Sequence, residues 1–358
     1  MFLREIFLEN FRNRARGEFK FSEEKTILIG ANGAGKTSIL EAIFALSIAR
    51  VFRNFRKENF IRESENFARV RGKTADETLE IFWQTRPKNL TVLKKNGAEI
   101  STVDFFRQKK FAAVLFSPEI LNLSGGPPAG RRKFLTPILL AANPEFLPLL
   151  SRGEKLLKNR NRLLQKFAAG TARKKEFEFW DENLIEVSEK ITAARAELLE
   201  KLHPKIVENF AELSPRGAEL KIFFRPSAEN LREKLRGNFE RDVATGATNC
   251  GFHRDDFEIF FQNRSLNLAS RGENRRAILA MKFAETEFLR EKIGENPVLL
   301  LDDVFGELDE FCRARLLSPN FAGQILATAT EVPDENLSDF AVLEISAQNF
   351  DTTKPTDF

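Results

Sequence analysis

The chain contains no tyrosine, and only two each of cysteine, histidine, methionine and tryptophan. Each scarcity closes off some chemistry. Two cysteines, Cys250 and Cys312, cannot build a disulfide framework, and no Cys/His grouping has zinc spacing. Both read as small buried residues in a reducing compartment. Without tyrosine, no phenol can stack on an adenine or serve as an acid. The 36 phenylalanines supply large rings with no hydroxyl to satisfy. The longest apolar runs are of strand length, so no transmembrane span is expected. Met1-Phe2-Leu3-Arg4-Glu5 lacks the unbroken apolar stretch of a signal peptide. A cytoplasmic location and no membrane partner are therefore expected.

What is present points elsewhere. A length of 358 residues, 42% hydrophobic and 30% charged, exceeds one modest domain and can fill a real core. Two lobes, or one domain with a large insertion, are expected. The net charge of +4 permits nucleic-acid binding without requiring it.

The most informative stretch is Gly30-Ala31-Asn32-Gly33-Ala34-Gly35-Lys36-Thr37, a complete G-x-x-x-x-G-K-T loop. The apolar run Thr26–Ile29 before it reads as a buried strand. Ser38–Phe44 after it has helical apolar spacing. In that setting glycines let the backbone turn several N–H groups onto one anion, and the helix adds the positive end of its dipole. Residues 30–38 are thus expected to cradle a nucleotide's phosphates. Lys36 would reach the β- and γ-phosphates, and the Thr37 hydroxyl would ligate Mg²⁺.

Val298-Leu299-Leu300-Leu301-Asp302-Asp303 is an apolar strand ending in two carboxylates. Ligands of open α/β sheets bind beyond such strand ends. Asp302 fits the Mg²⁺-associated acidic position, and Asp303 is placed to orient or deprotonate an attacking water. Upstream, Ser270, Gly272 and the helix after them form either a helix cap or another anion site.

Residues 1–120 read mostly as short strands: Leu3–Leu8, Gly17–Phe21, Ala68–Arg71, Thr78–Trp83, Thr91–Lys95 and Phe111–Phe116, with a hairpin turn at Asn96-Gly97. After the break at Gly125-Gly126-Pro127-Pro128, residues 130–212 become helical. Glu154–Phe167 and Phe177–Leu202 carry apolar residues at helical spacing around a loop at Ala168–Thr171. Strands return at Glu219–Phe224 and Phe257–Phe261, then a helix at Arg275–Glu291 and a strand at Gln324–Ala329. One sheet assembled from both ends of the chain is expected. The head would comprise residues 1–124 and 242–358, and the helical arm residues 125–241.

Two basic tracts are candidate nucleic-acid contacts. Arg50, Arg53, Arg56, Lys57 and Arg62 are interleaved with Phe52, Phe55 and Phe60, a pattern that can neutralise phosphates and stack on bases. It can equally be a solvated strand edge with core phenylalanines. Lys155, Lys158, Arg160, Arg162, Lys166, Arg173, Lys174 and Lys175 make the arm basic, as an ordinary solvated face also would.

The order of motifs, phosphate loop, then Ser-x-Gly helix, then acidic strand, resembles the ABC and SMC-like ATPases. Further segments are similar to the RecF family. They are Leu8-Glu9-Asn10-Phe11-Arg12-Asn13, Phe116-Ser117-Pro118-Glu119, Arg131–Leu135, Arg160–Leu164, Trp180–Leu184, Gly251–Asp256 and Leu299–Asp309. The likeness runs from residue 3 to about 330. It implies an α/β fold, an ABC/SMC-like P-loop ATPase head with an inserted helical arm. It also implies ATP and Mg²⁺ as cofactors. In this picture Ser270 and Gly272 face the γ-phosphate held by another subunit. Gly306-Glu307-Leu308-Asp309 would line the seam of an ATP-dependent homodimer. Implied partners are DNA, as single/double-strand junctions or gapped duplex, and the mediators RecO and RecR. The implied activity is a DNA clamp with slow, DNA-stimulated ATP hydrolysis that assists recombinase loading at gaps. Another SMC-like ATPase, or an ATP-binding scaffold without turnover, is the alternative. The chain departs from the family pattern at Thr136, Phe252, Glu273 and Gly306, where Asp, Pro, Gln and Ser are usual. His253 is either a hydrogen-bonded structural residue or lies near the nucleotide or the dimer seam.

Overall fold

The computed structural model describes residues 2–49, 60–214, 218–318, 323–331 and 339–346. In chain order its strands are β1 (Leu3–Phe11), β2 (Arg14–Lys20), β3 (Lys25–Ile29), β4 (Phe67–Thr74), β5 (Thr78–Gln84), β6 (Leu90–Lys95), β7 (Ala98–Ile100), β8 (Ala113–Phe116), β9 (Leu220–Arg225), β10 (Asp256–Phe261), β11 (Arg264–Ser265), β12 (Val298–Asp302), β13 (Ile325–Ala329) and β14 (Ala341–Glu344). Its α-helices are α1 (Lys36–Ile48), α2 (Thr102–Gln108), α3 (Pro118–Leu121), α4 (Pro128–Ala142), α5 (Phe146–Ala168), α6 (Phe177–Leu213), α7 (Leu231–Gly237), α8 (Phe239–Thr245), α9 (Arg271–Ile293) and α10 (Glu310–Leu316).

Two compact units result, one made of Met1–Leu121 and Glu285–Phe358, the other of Asn122–Ala284. The first holds two sheets. One is antiparallel, in the order β2-β1-β4-β5-β6-β7; the other is parallel, in the order β14-β3-β13-β12-β8. Asn96 and Gly97 both have positive φ, 51° and 83°, the geometry that a two-residue hairpin between β6 and β7 demands. Helix α1 contacts β1, β4 and β5 of one sheet and β8, β12 and β13 of the other. Its side chains are buried around the whole circumference from Ile39 to Ile48, which is why its sequence is apolar all round rather than amphipathic. Strands β12 and β13 are buried at every position, as parallel strands covered on both faces must be.

The outer face of the antiparallel sheet is a lattice of opposite charges. Glu9 pairs with Arg69 at 3.4 Å, Glu5 with Lys73 at 3.8 Å and Glu80 with Lys94 at 3.4 Å. Arg16 and Arg71 lie over the Phe7 ring. This is a solvated face, each pair adding little.

The second unit is the arm. Helices α5 and α6 pack as an αα-hairpin closed at Gly170, whose φ of 71° suits glycine. Phe167, Phe177 and Phe239 meet edge to face with centroids 5.1 to 5.8 Å apart. Residues 242–284 group with the arm in this division into units. The reason is long-range pairing: β10 is hydrogen-bonded along its length to β9. Among the described residues no helix is long and apolar enough to cross a membrane.

Candidate functional site

Parallel pairing decides where the site lies. Strands β3, β13 and β12 run the same way, so their C-terminal ends share one edge of the sheet. Leu28 and Asp302 both align with Thr328 of β13. The phosphate loop leaves β3 at that edge and enters α1 through Gly35, whose φ is 89°. Gly33 has φ 81°. Both conformations strain residues with a Cβ. Gly30 is fixed by space instead: a Cβ there would stand 2.2 Å from the Ile345 carbonyl oxygen, just past β14.

A cleft of about 200 Å³ opens here, lined by Asn32, Gly33, Lys36, Thr37, Ser38 and Asp303 among others. Lys36 folds back over the loop, its Nζ donating to Gly30 O at 2.6 Å and Ala31 O at 3.0 Å. Thr37 Oγ1 donates to Asp302 Oδ1 at 2.7 Å, joining residues 265 positions apart. Thr328 Oγ1 donates to the same oxygen at 3.1 Å and accepts from the Asp303 N–H at 3.0 Å. Asp303 has φ 53°, turning the chain out of the strand, and its side chain is exposed to the cleft. The arrangement offers the N-terminus of α1, one ammonium and hard oxygen donors. That set suits a polyphosphate and an oxygen-seeking divalent cation.

The model of the RecF/RecN/SMC N terminal domain matches residues 2–319. The DNA replication and repair protein RecF of Leptospira interrogans is 33% identical over 351 residues, covering 95% of this chain and 94% of its own. RecF of a Thermoanaerobacter species is 32% identical over 326 residues, covering 87% and 89%. The chain belongs to the RecF family. Two solved structures of the recombination mediator protein RecF in the RecFOR pathway, one named with ATP, are 31% and 30% identical. Each has a TM-score of 0.83 and covers 97% of this chain and 96% of its own. An Smc head domain from Pyrococcus furiosus, 17% identical with a TM-score of 0.53, shares the fold alone.

The remaining RecF-like residues fall as follows. Ser270 and Gly272 begin α9 in the second unit. There Ser270 N–H donates to Glu273 Oε2 at 2.8 Å and Ser270 Oγ accepts from the Glu273 N–H at 3.3 Å, a reciprocal capping box. The Ser270 contacts hold the Glu273 carboxyl below its ordinary pKa. Gly306 is exposed with open space where a Cβ would stand, so a serine there would fit. Phe252 is buried against Gly153 of α5, where a Cβ would come within 3.0 Å of its ring. Thr136 Oγ1 donates to the Arg132 carbonyl within α4.

Arg50, Arg53, Arg56 and Lys57, with Phe52 and Phe55, lie outside the described residues. Phe60 is buried, stacked edge-on against Trp83 at 4.9 Å, and belongs to the core. On the arm, Arg160 is no phosphate contact. It is completely buried, its Nε on Asp181 at 2.7 Å and its Nη1 on Asp242 and Thr248 at 2.8 Å. Lys155, Lys158, Arg162, Lys166 and Arg173–Lys175 are exposed. His253 is a structural residue of the arm. Its Nε2 donates to the Thr248 carbonyl at 2.9 Å, and burial pushes its pKa down to about 4.

Proposed function

We propose that this chain is an ATP-dependent protein of DNA replication and repair, working as RecF does in the RecFOR pathway. The observation that carries the reading is the 2.7 Å bond between Thr37 and Asp302, which unites the phosphate loop with the acidic strand. Backbone N–H groups of residues 30–38 bind the phosphates. Lys36 exchanges two loop carbonyls for β- and γ-phosphate oxygens. Thr37 and Asp302 are the residues that would hold Mg²⁺, which when bound neutralises charge on the phosphates. Asp303, exposed at the cleft, orients the attacking water. Ser270 and Gly272 receive the γ-phosphate of a second copy, so that ATP joins two heads into a clamp on DNA in the cytoplasm, beside RecO and RecR. ATP acts by binding the paired state more tightly than the single one. Because Glu273 occupies the Ser270 amide, its carboxylate competes with the incoming phosphate.

The test is light scattering with and without ATP, and phosphate release with and without gapped DNA. ATP should raise the mass from monomer toward dimer, Ser270→Arg should abolish the rise, and Glu273→Gln should lower the ATP needed for it. Asp303→Asn should remove DNA-stimulated release. Equal release by the natural chain and Asp303→Asn would leave an ATP-binding scaffold. A mass indifferent to nucleotide would remove the clamp.

A further inference from the structure

We propose that the turn between β1 and β2 is a clamp that sets the shape of the phosphate loop, with Asn13 and Arg14 as its positioning residues. The proposal builds on the nucleotide reading above and concerns residues to which that reading gives no task. Phe11 pairs with Arg14 across the two strands, so Arg12 and Asn13 form the turn. Three consecutive side chains then reach from the antiparallel sheet to the loop and its helix. Arg12 forks onto Glu41 of α1 at 2.9 and 3.3 Å. Asn13 Nδ2 donates to the Gly33 carbonyl at 2.9 Å while its Oδ1 accepts from Ser38 Oγ at 3.1 Å. Arg14 donates from Nε to the Gly35 carbonyl at 3.4 Å and from Nη2 to the Ala34 carbonyl.

The carbonyls of Gly33, Ala34 and Gly35 are thus all engaged by this one turn. A loop that aims its N–H groups at an anion must direct its carbonyls away, and buried carbonyls need donors. The clamp supplies a donor to the buried Ala34 and Gly35 carbonyls, the latter also accepting from the Ile39 N–H at 3.2 Å, and to the exposed Gly33 carbonyl. Arg14 is fully buried, and its guanidinium lies over the Phe19 ring at 5.1 Å, so the fork is fixed from behind. A planar fork serves two successive carbonyls where a single ammonium would serve one. The fit is close: a Cβ on Gly35 would stand 2.7 Å from Arg14 Nε and 2.9 Å from Asn13 Oδ1. The left-handed conformations at Gly33 and Gly35 are therefore held by the sheet before any nucleotide arrives, which reduces the ordering cost of binding.

Equilibrium dialysis with ATP and Mg²⁺, and hydrogen exchange at the amides of residues 33–36 without nucleotide, test the clamp. Asn13 is exposed, so Asn13→Ala should fold. It should weaken ATP binding roughly 5- to 30-fold, the loss of two hydrogen bonds. Exchange should quicken in the loop and stay unchanged in β12 and β13. Arg14→Lys, which keeps the charge and one of the two contacts, should weaken ATP binding and Arg14→Met should weaken it further. A merely structural role would loosen β12 and β13 as well. If Asn13→Ala and Arg14→Lys bind ATP as the natural chain does, while Lys36→Ala does not, the clamp is wrong and the nucleotide site stands. If the natural chain binds no ATP, both readings fall.

Discussion

Both units bury charged side chains, and they finish the job differently. In the first, Lys36 lines a cleft with its ammonium resting on loop carbonyls, and Asp302 accepts two hydroxyls at the edge of the same space. In the second, Arg160 is enclosed by Asp181, Asp242 and Thr248, and Arg195 by Asp255 and the Phe252 carbonyl, with Asp242 and Asp255 also tied to neighbours. Open burial leaves interactions that a ligand can take over. Closed burial fixes one packing of the arm. The comparison separates chemistry from architecture better than charge counts do.

The largest expected effect falls on the closed set. Arg160→Met would strand the fully buried Asp242 in a dry site and leave Asp181, a quarter exposed, without its ion-pair partner. Burial already holds the Asp181 carboxyl above its ordinary pKa despite the pull of Arg160. Removing one partner of such a group costs about 3–5 kcal/mol. The loss should appear as faster amide exchange throughout α5, α6 and α8, with ATP affinity unchanged. A change in ATP affinity of tenfold or more would break the division between the two units.

His253 offers the same lesson through pH. Burial is the main cause of its depressed pKa, helped by Arg254 and Arg132 and opposed by the Thr248 carbonyl and Asp242. A folded pKa below the unfolded value means that the unfolded chain takes up the proton first. The stabilisation is therefore complete above about pH 6.5 and is lost as pH falls toward about 4. From those limits the loss is about 2–3 kcal/mol. The natural arm should weaken between pH 6.5 and 4.5 relative to His253→Gln, whose amide can still reach the Thr248 carbonyl. Parallel pH profiles would show that His253 carries no such burden.

These two residues also show how far the sequence could be read. The phosphate loop was legible because strand, loop and helix are contiguous and each has its own signal. The acidic strand was legible because parallel strands buried on both faces announce themselves as apolar runs. Arg160 was misread as part of a basic face, although a signal existed. Leu156, Arg160, Leu163 and Leu164 lie on one stripe of α5, and Ile191, Arg195, Leu198 and Leu199 on one stripe of α6. A basic residue in an apolar stripe announces a buried partner, but the partners Asp242 and Asp255 lie far along the chain and no local pattern identifies them. The pairing of β9 with β10 was hidden for a like reason, being long-range. Arg14 gave no signal, because its use depends on a turn meeting a loop. Strand β14 is too short, and too exposed, for a periodicity to show.

On the open side, Asp302→Asn should fold, because the remaining carbonyl oxygen can still accept from Thr37 and Thr328. It loses the negative charge that a divalent cation needs. Mg²⁺-dependent ATP affinity should fall about tenfold, roughly 1.4 kcal/mol, with loop exchange unchanged when nucleotide is absent. A matching loss of stability in β12 and β13 would place Asp302 among the closed charges instead.

The smallest effect belongs to a pair that is charged and not buried at all. Arg225 of β9 donates twice to Glu258 of β10, at 3.1 and 3.0 Å, with both side chains about half exposed, at 58% and 45%. Its geometry is as good as that of several buried pairs. Water, however, solvates both groups in the unfolded chain and nearly as well in the folded one, and salt screens what attraction remains. Arg225→Ala should therefore cost no more than about 1 kcal/mol, and less at high salt. Set beside Arg160→Met, it removes an arginine from one exposed carboxylate rather than from an enclosed set of two carboxylates and a hydroxyl. If Arg225→Ala loosened α6 and β10 as much as Arg160→Met loosens the arm, hydrogen-bond geometry rather than enclosure would be what stabilises this unit, and the contrast with the open cleft would lose its physical basis.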